Sequence, residues 1–143
     1  MGMSLDDGGG TLPGRVSVLV IDDEPDIREL MAFELQDAGY EVVLAERGEA
    51  ALACLRTRPI DVALLDFRMP GLDGLATLAE LLKIDPRLPV IIMSGYFSTE
   101  FEADCRSHGA FACAVKPFDL AQIHALLKHA RRPNDEGMQS PLG

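Results

Sequence analysis

A doubly wound α/β fold, with a five-stranded parallel sheet covered by helices on both faces, is the class this sequence predicts. Three observations predict it. Short apolar runs alternate with helical patterns five times along residues 15–132. Most of the runs are too continuous for half-exposed antiparallel strands. Each run precedes its own helix pattern, and repeated strand–helix order gives a parallel sheet with helices packed against it.

The first strand is expected over 16–21. The helix after it carries Ile27, Leu30, Met31, Leu35 and Ala38 on its inward face, and Gly39 closes it. A second strand at 41–45 leads into a helix over about 49–56, stopped by Pro59. The third strand, 62–65, precedes a helix over about 75–84 that Asp73 opens as N-cap and Asp85-Pro86 ends. The fourth strand, 90–93, is followed by a helix over about 99–108, capped by Ser98 and Gly109. The fifth, 111–115, leads to a helix over about 120–131, with Asp119 as N-cap and Leu120, Ile123, Leu127 and Ala130 inward. Residues 1–14 and 133–143, rich in Gly, Pro and polar groups, are expected to be flexible tails flanking one domain at 15–132.

Composition narrows the function. Hydrophobic residues make up 48% of the chain but aromatics only 6%, so aliphatic side chains must fill the core. Asp and Glu number 23 against 13 Lys and Arg, a net charge of −10 that repels phosphate backbones and argues against direct nucleic-acid binding. Cys54, Cys105 and Cys113 are odd in number, lie among apolar residues and follow no metal-ligand spacing, which suits a reduced, cytoplasmic protein. No stretch approaches the roughly 20 apolar residues of a membrane span. The N-terminus, with Asp6, Asp7 and Gly8-Gly9-Gly10, is not a secretory signal.

Four apolar runs end in polar residues. The first runs into Asp22-Asp23-Glu24, the third into Asp66, the fourth into Ser94-Gly95 and the fifth into Lys116-Pro117-Phe118. In a parallel sheet these ends share one edge, where such folds bind ligands. Each residue alone has an ordinary use. Asp22 or Asp23 could cap the helix opened by Pro25, Asp66 and Ser94 could serve turns, and Lys116 could be a solvated surface lysine. Together they converge on a chemistry. Clustered carboxylates repel one another and attract a hard divalent cation, for which Mg²⁺ needs only two or three. With the cation neutralising an incoming phosphoryl group, one carboxylate can attack phosphorus. Lys116 and Ser94 would meet phosphate oxygens with a charge and a hydroxyl.

The set Asp22-Asp23-Glu24-Pro25, Asp66-Phe67-Arg68-Met69-Pro70-Gly71-Leu72-Asp73-Gly74, Ser94-Gly95 and Lys116-Pro117-Phe118 resembles the receiver domain of bacterial two-component response regulators, over about 16–131. The resemblance implies a flavodoxin-like (βα)5 fold. It also implies Asp66 as phosphoacceptor, Asp23 as a direct Mg²⁺ ligand, Asp22 acting through water and the Arg68 backbone carbonyl as third protein ligand. Ser94 would be the switch hydroxyl and Lys116 the phosphate-pairing lysine. A sensor histidine kinase or phosphotransfer protein would supply the phosphoryl group, and a downstream protein target would read the result. Such a domain is no enzyme beyond its own phosphotransfer and autodephosphorylation. Two features depart from the family pattern. Cys113 stands where an aromatic is frequent, three residues before the lysine, and Arg68 and Tyr96 occupy the positions that tune water access to the acyl phosphate.

Two other readings share the residues. A Mg²⁺-dependent aspartyl-phosphate phosphohydrolase would place a second acid two residues after its nucleophile, where this chain has Arg68. A non-phosphorylated interaction module of the same fold would have no use for Asp22, Asp23, Asp66, Ser94 and Lys116 together. After residue 131 the sequence is too short for a DNA-binding domain, which fits a stand-alone receiver and a fragment of a larger regulator or hybrid kinase equally.

Overall fold

The computed structural model describes residues 15–68, 74–96, 98–115 and 120–130. Five strands and five helices alternate along them. These are β1 (Ser17–Ile21), α1 (Pro25–Asp37), β2 (Glu41–Ala45), α2 (Gly48–Thr57), β3 (Val62–Asp66), α3 (Gly74–Ile84), β4 (Val90–Ser94), α4 (Thr99–Ser107), β5 (Ala112–Val115) and α5 (Leu120–His129). The strands form one sheet in the order β2-β1-β3-β4-β5, every pair parallel. No helix among the described residues is long and apolar enough to cross a membrane.

Alternation along each strand divides the core in two, because successive strand side chains point to opposite faces. Leu19 and Ile21 of β1, Ala63 and Leu65 of β3 and Val90 and Ile92 of β4 pack with Ala51 of α2, Leu78 and Leu81 of α3 and Cys105 of α4. Val18, Val20, Val62, Leu64, Ile91 and Met93 face the other way, against Met31 and Leu35 of α1 and Ile123 and Leu127 of α5. Both layers exclude water, so each fully buried Leu or Ile contributes roughly 1.5–3 kcal/mol. This explains why the strand sequences read as continuous apolar runs.

Both glycine caps form as expected. Gly39 and Gly109 take positive φ, 100° and 105°, which non-glycine residues rarely adopt. The chain then turns back through Tyr40 N–H to Leu35 O (3.0 Å) and Ala110 N–H to Cys105 O (3.1 Å). Ser98 caps α4, its Oγ accepting from Phe101 N–H at 3.0 Å. Asp73 and Asp119 lie outside the described residues.

Besides shifts of one or two residues at the ends of β1, α2, α3, α4, β5 and α5, two details differ from the sequence reading. Leu30 is 41% exposed and Ala38 is exposed, so neither is inward. The buried row of α1 follows Ile27, Met31 and Leu35 at four-residue steps, and Leu30 lies on the neighbouring row, turned from the sheet. Strands β3 and β4 each run one residue past their apolar stretch, with Asp66 opposite Met93 and Ser94 opposite Val115. Ladder pairing follows the backbone, so polarity at a strand's last position does not end it.

Candidate functional site

Strand order reverses at β1, whose neighbours are β2 on one side and β3 on the other. The crevice beyond the carboxyl ends of β1 and β3 is therefore the switch point, where doubly wound sheets bind ligands. Asp22 follows β1 there and is 0% exposed. Its N–H donates to Ala45 O at 3.1 Å, its Oδ1 accepts from Glu24 N–H at 3.0 Å, and its carbonyl accepts from Arg28 Nη1 at 2.7 Å. Three bonds thus fix the acidic loop between β1 and α1. Glu24 is the N-cap residue of α1, with Pro25 in its first turn, so neither Asp22 nor Asp23 occupies the capping position.

Asp66 ends β3 and is 4% exposed. Its Oδ1 accepts from Arg68 N–H at 3.3 Å. Carboxylate oxygens of Asp22, Asp23 and Asp66 all lie within 4.8 Å of one another. Two of these three carboxylates are shielded from water, so their mutual repulsion is poorly screened. An all-oxygen donor set of this charge fits a hard cation such as Mg²⁺ and does not suit a thiophilic metal. The cluster opens on a cavity of about 320 Å³ lined by Asp23, Glu24, Asp66, Arg68, Ser94 and Gly95.

Ser94 ends β4 and borders the same cavity, with its Oγ accepting from Tyr96 N–H at 3.0 Å. Sequence reasoning placed Asp22, Asp23, Asp66, Arg68 and Ser94 together, and the fold brings all five to one crevice. Lys116 lies outside the described residues, as do Met69-Pro70-Gly71. Arg68 and Tyr96 diverge. Arg68 lines the cavity, whereas the Tyr96 ring packs edge-on against Phe101 with centroids 5.8 Å apart. Arg28 and the contacts of Phe67 with Phe101 were not anticipated. A lone arginine on an exposed helix and two phenylalanines far apart in sequence leave no periodic signal.

Cys113 is packing. It is buried beneath α4 beside Cys105, and burial first, then the hydrogen bond with Cys105, pushes its thiol up to about 12. Burial likewise raises Cys105. At pH 8 the Cys113 thiol is then protonated and a poor nucleophile. Iodoacetamide at that pH is expected to modify Cys54 and leave Cys105 and Cys113 intact in the native protein, read by peptide mass mapping. Rapid native labelling of Cys113 would overturn the packing assignment.

A family model, the response regulator receiver domain, matches residues 18–128. Transcriptional regulatory protein ZraR of Escherichia coli O157:H7 is 36% identical over 116 residues, 81% of this chain and 26% of ZraR. The chain thus spans about a quarter of the length of the curated relatives it matches. Chemotaxis protein CheY4 of Vibrio cholerae superposes with a TM-score of 0.77 at 29% identity, over 82% of this chain and 99% of CheY4. CheY in a CheX-CheY-BeF3-Mg complex from Borrelia burgdorferi gives 0.76 at 26% identity, over 80% of this chain and 87% of that one.

Proposed function

The chain belongs to the response regulator receiver domain family of two-component systems, and from that premise we propose that Asp66 accepts a phosphoryl group beside Mg²⁺ held by Asp22, Asp23 and Asp66. The supporting observation is the convergence of those three carboxylates within 4.8 Å at the mouth of a cavity that Ser94 also borders. Asp23 and Asp66 are the proposed direct ligands, with the Arg68 backbone carbonyl as the third, and Asp22 acts through water. When bound, Mg²⁺ supplies charge neutralisation for the phosphoryl oxygens.

The chain's own groups do the rest. An Asp66 carboxylate oxygen attacks phosphorus in line. With a phosphohistidine donor the P–N bond breaks as the O–P bond forms, and the imidazole leaves. Lys116 is proposed to pair with a phosphoryl oxygen. The acyl phosphate carries about −1.5 to −2 charge in place of the single charge of the free carboxylate. Ser94 then exchanges its bond from Tyr96 N–H for one it donates to the phosphoryl group, which biases α4, β5 and α5 between two packings.

The proposed partners are a sensor histidine kinase or phosphotransfer protein as donor and a protein target as reader, in the cytoplasm. Apart from accepting the phosphoryl group and losing it to water, the domain is proposed to carry no enzymatic activity. Arg68 stands where a phosphohydrolase would need its second acid. Incubation with acetyl phosphate and Mg²⁺, followed by intact mass and acetate release, separates the readings. One slowly decaying phosphoryl group per chain is expected. Fast multiple turnover would support the hydrolase, and no adduct with no turnover would support an inert module.

Arg68 lines the cavity and sets the lifetime of the adduct in this account. Arg68→Ala is expected to speed dephosphorylation about 3-fold, equivalent to about 0.7 kcal/mol. Tyr96→Ala is expected to leave the rate unchanged, because its ring is committed to Phe101. Equal rates for wild type and Arg68→Ala, followed by mass decay, would remove Arg68 from this role.

A further inference from the structure

Cys113 has no ring to move, so an aromatic lever on β5 is not available to this chain. Three rings stand elsewhere, between the carboxylate site and α4. Phe67 directly follows Asp66, with its N–H donating to Met93 O at 2.8 Å and its carbonyl accepting from Gly74 N–H at 3.1 Å. Gly74 presses on it, since a Cβ there would lie 2.7 Å from Phe67 Cδ1 and 2.9 Å from its Cα and carbonyl oxygen. The Phe67 ring meets Phe101 edge-to-face, centroids 5.0 Å apart at 89°. Phe101 sits in the first turn of α4, its N–H held by Ser98 Oγ. On it also rests the Tyr96 ring, at 5.8 Å and 77°. Tyr96 N–H is the group that Ser94 Oγ holds.

Phe101 thus touches one ring attached next to Asp66 and another whose backbone is bonded to Ser94. Helix α4 is otherwise lightly anchored. Its one buried residue is Cys105, whereas α3 buries Gly74, Thr77, Leu78 and Leu81. We propose that Phe67, Phe101 and Tyr96 form the mechanical link by which the state of Asp66 and Ser94 sets the position of α4.

The link deepens the phosphoacceptor reading and rests on it. Phe67, clamped by Gly74, is the fixed side. Tyr96 is the moving side: when Ser94 turns its hydroxyl to the phosphoryl group, Tyr96 loses its acceptor and its ring shifts on Phe101. Because edge-to-face geometry is directional, that shift carries Phe101 and the first turn of α4 with it.

The test is amide NMR of the full chain with Mg²⁺, before and after beryllofluoride, in wild type, Phe101→Leu, Phe101→Tyr and Tyr96→Leu. Wild type and Phe101→Tyr are expected to shift both around Asp22, Asp66 and Ser94 and throughout α4. Phe101→Leu is expected to keep the site shifts and lose those of α4. Tyr96→Leu removes a largely exposed ring at little risk to folding, and is expected to reduce the α4 shifts. Site shifts with a full α4 response in Phe101→Leu, or in Tyr96→Leu should the former not fold, would overturn the link alone. No site shifts in wild type would overturn the acceptor assignment and the link together.

Discussion

Asp66→Asn is expected to abolish labelling by acetyl phosphate, with initial rates falling at least about 100-fold, while the domain stays folded. Asn is nearly isosteric with Asp, and its amide oxygen can still accept from Arg68 N–H, the bond made at 3.3 Å by Asp66 Oδ1. What it lacks is the anionic oxygen that attacks phosphorus. It also removes one of three negative charges within 4.8 Å, two of them buried. The melting temperature without Mg²⁺ should therefore rise, because like-charge repulsion in a poorly solvated site is relieved. Intact mass and a thermal melt read the two effects. Undiminished phosphorylation of the mutant would place the acceptor elsewhere.

Asp23→Ala is expected to abolish the stabilisation that Mg²⁺ gives the wild type. A ligand that binds only the folded state at ten times its Kd contributes about 1.4 kcal/mol. For a domain of this size that raises the melting temperature on the order of 5 °C. Asp23 is the informative position because it is only partly buried and lies in neither a strand nor a helix. Asp22 would confound the test. Its carboxylate holds Glu24 N–H, so Asp22→Ala would also loosen the turn into α1. Thermal melts across millimolar Mg²⁺ should climb for wild type and stay flat for Asp23→Ala. An equal climb in both would show that the cation does not bind there.

Much of this molecule is legible in its sequence, for physical reasons. Strands buried on both faces are apolar except at their ends, so Val18 to Ile21 and Val90 to Met93 stand out as uninterrupted runs. The ends of such strands must meet at one edge, so polar residues following them are neighbours before any coordinates are known. That argument brings Asp22, Asp66 and Ser94 together. It fails where contact depends on the paths of loops. Phe67 and Phe101 meet because the connections after β3 and β4 leave the same edge, and nothing in their spacing signals it. The pairing of Cys105 with Cys113 is similarly hidden, since one lies on α4 and the other on β5. Leu30 was misplaced for another reason: apolar character at a helical position shows that a residue can be buried, and the width of the packed face decides whether it is.

Asp66 carries the phosphoryl group in the proposed mechanism, and the chemistry of an acyl phosphate allows that residue to be read directly. Borohydride reduces a phosphorylated aspartate to an alcohol and leaves free carboxylates unchanged. Wild-type protein would be treated with acetyl phosphate and Mg²⁺, reduced, digested and sequenced by mass spectrometry. Reduction at Asp66 alone is the expected result. Reduction at Asp22 or Asp23, or a phosphoryl group found on Ser94 with Asp66 unreduced, would contradict it.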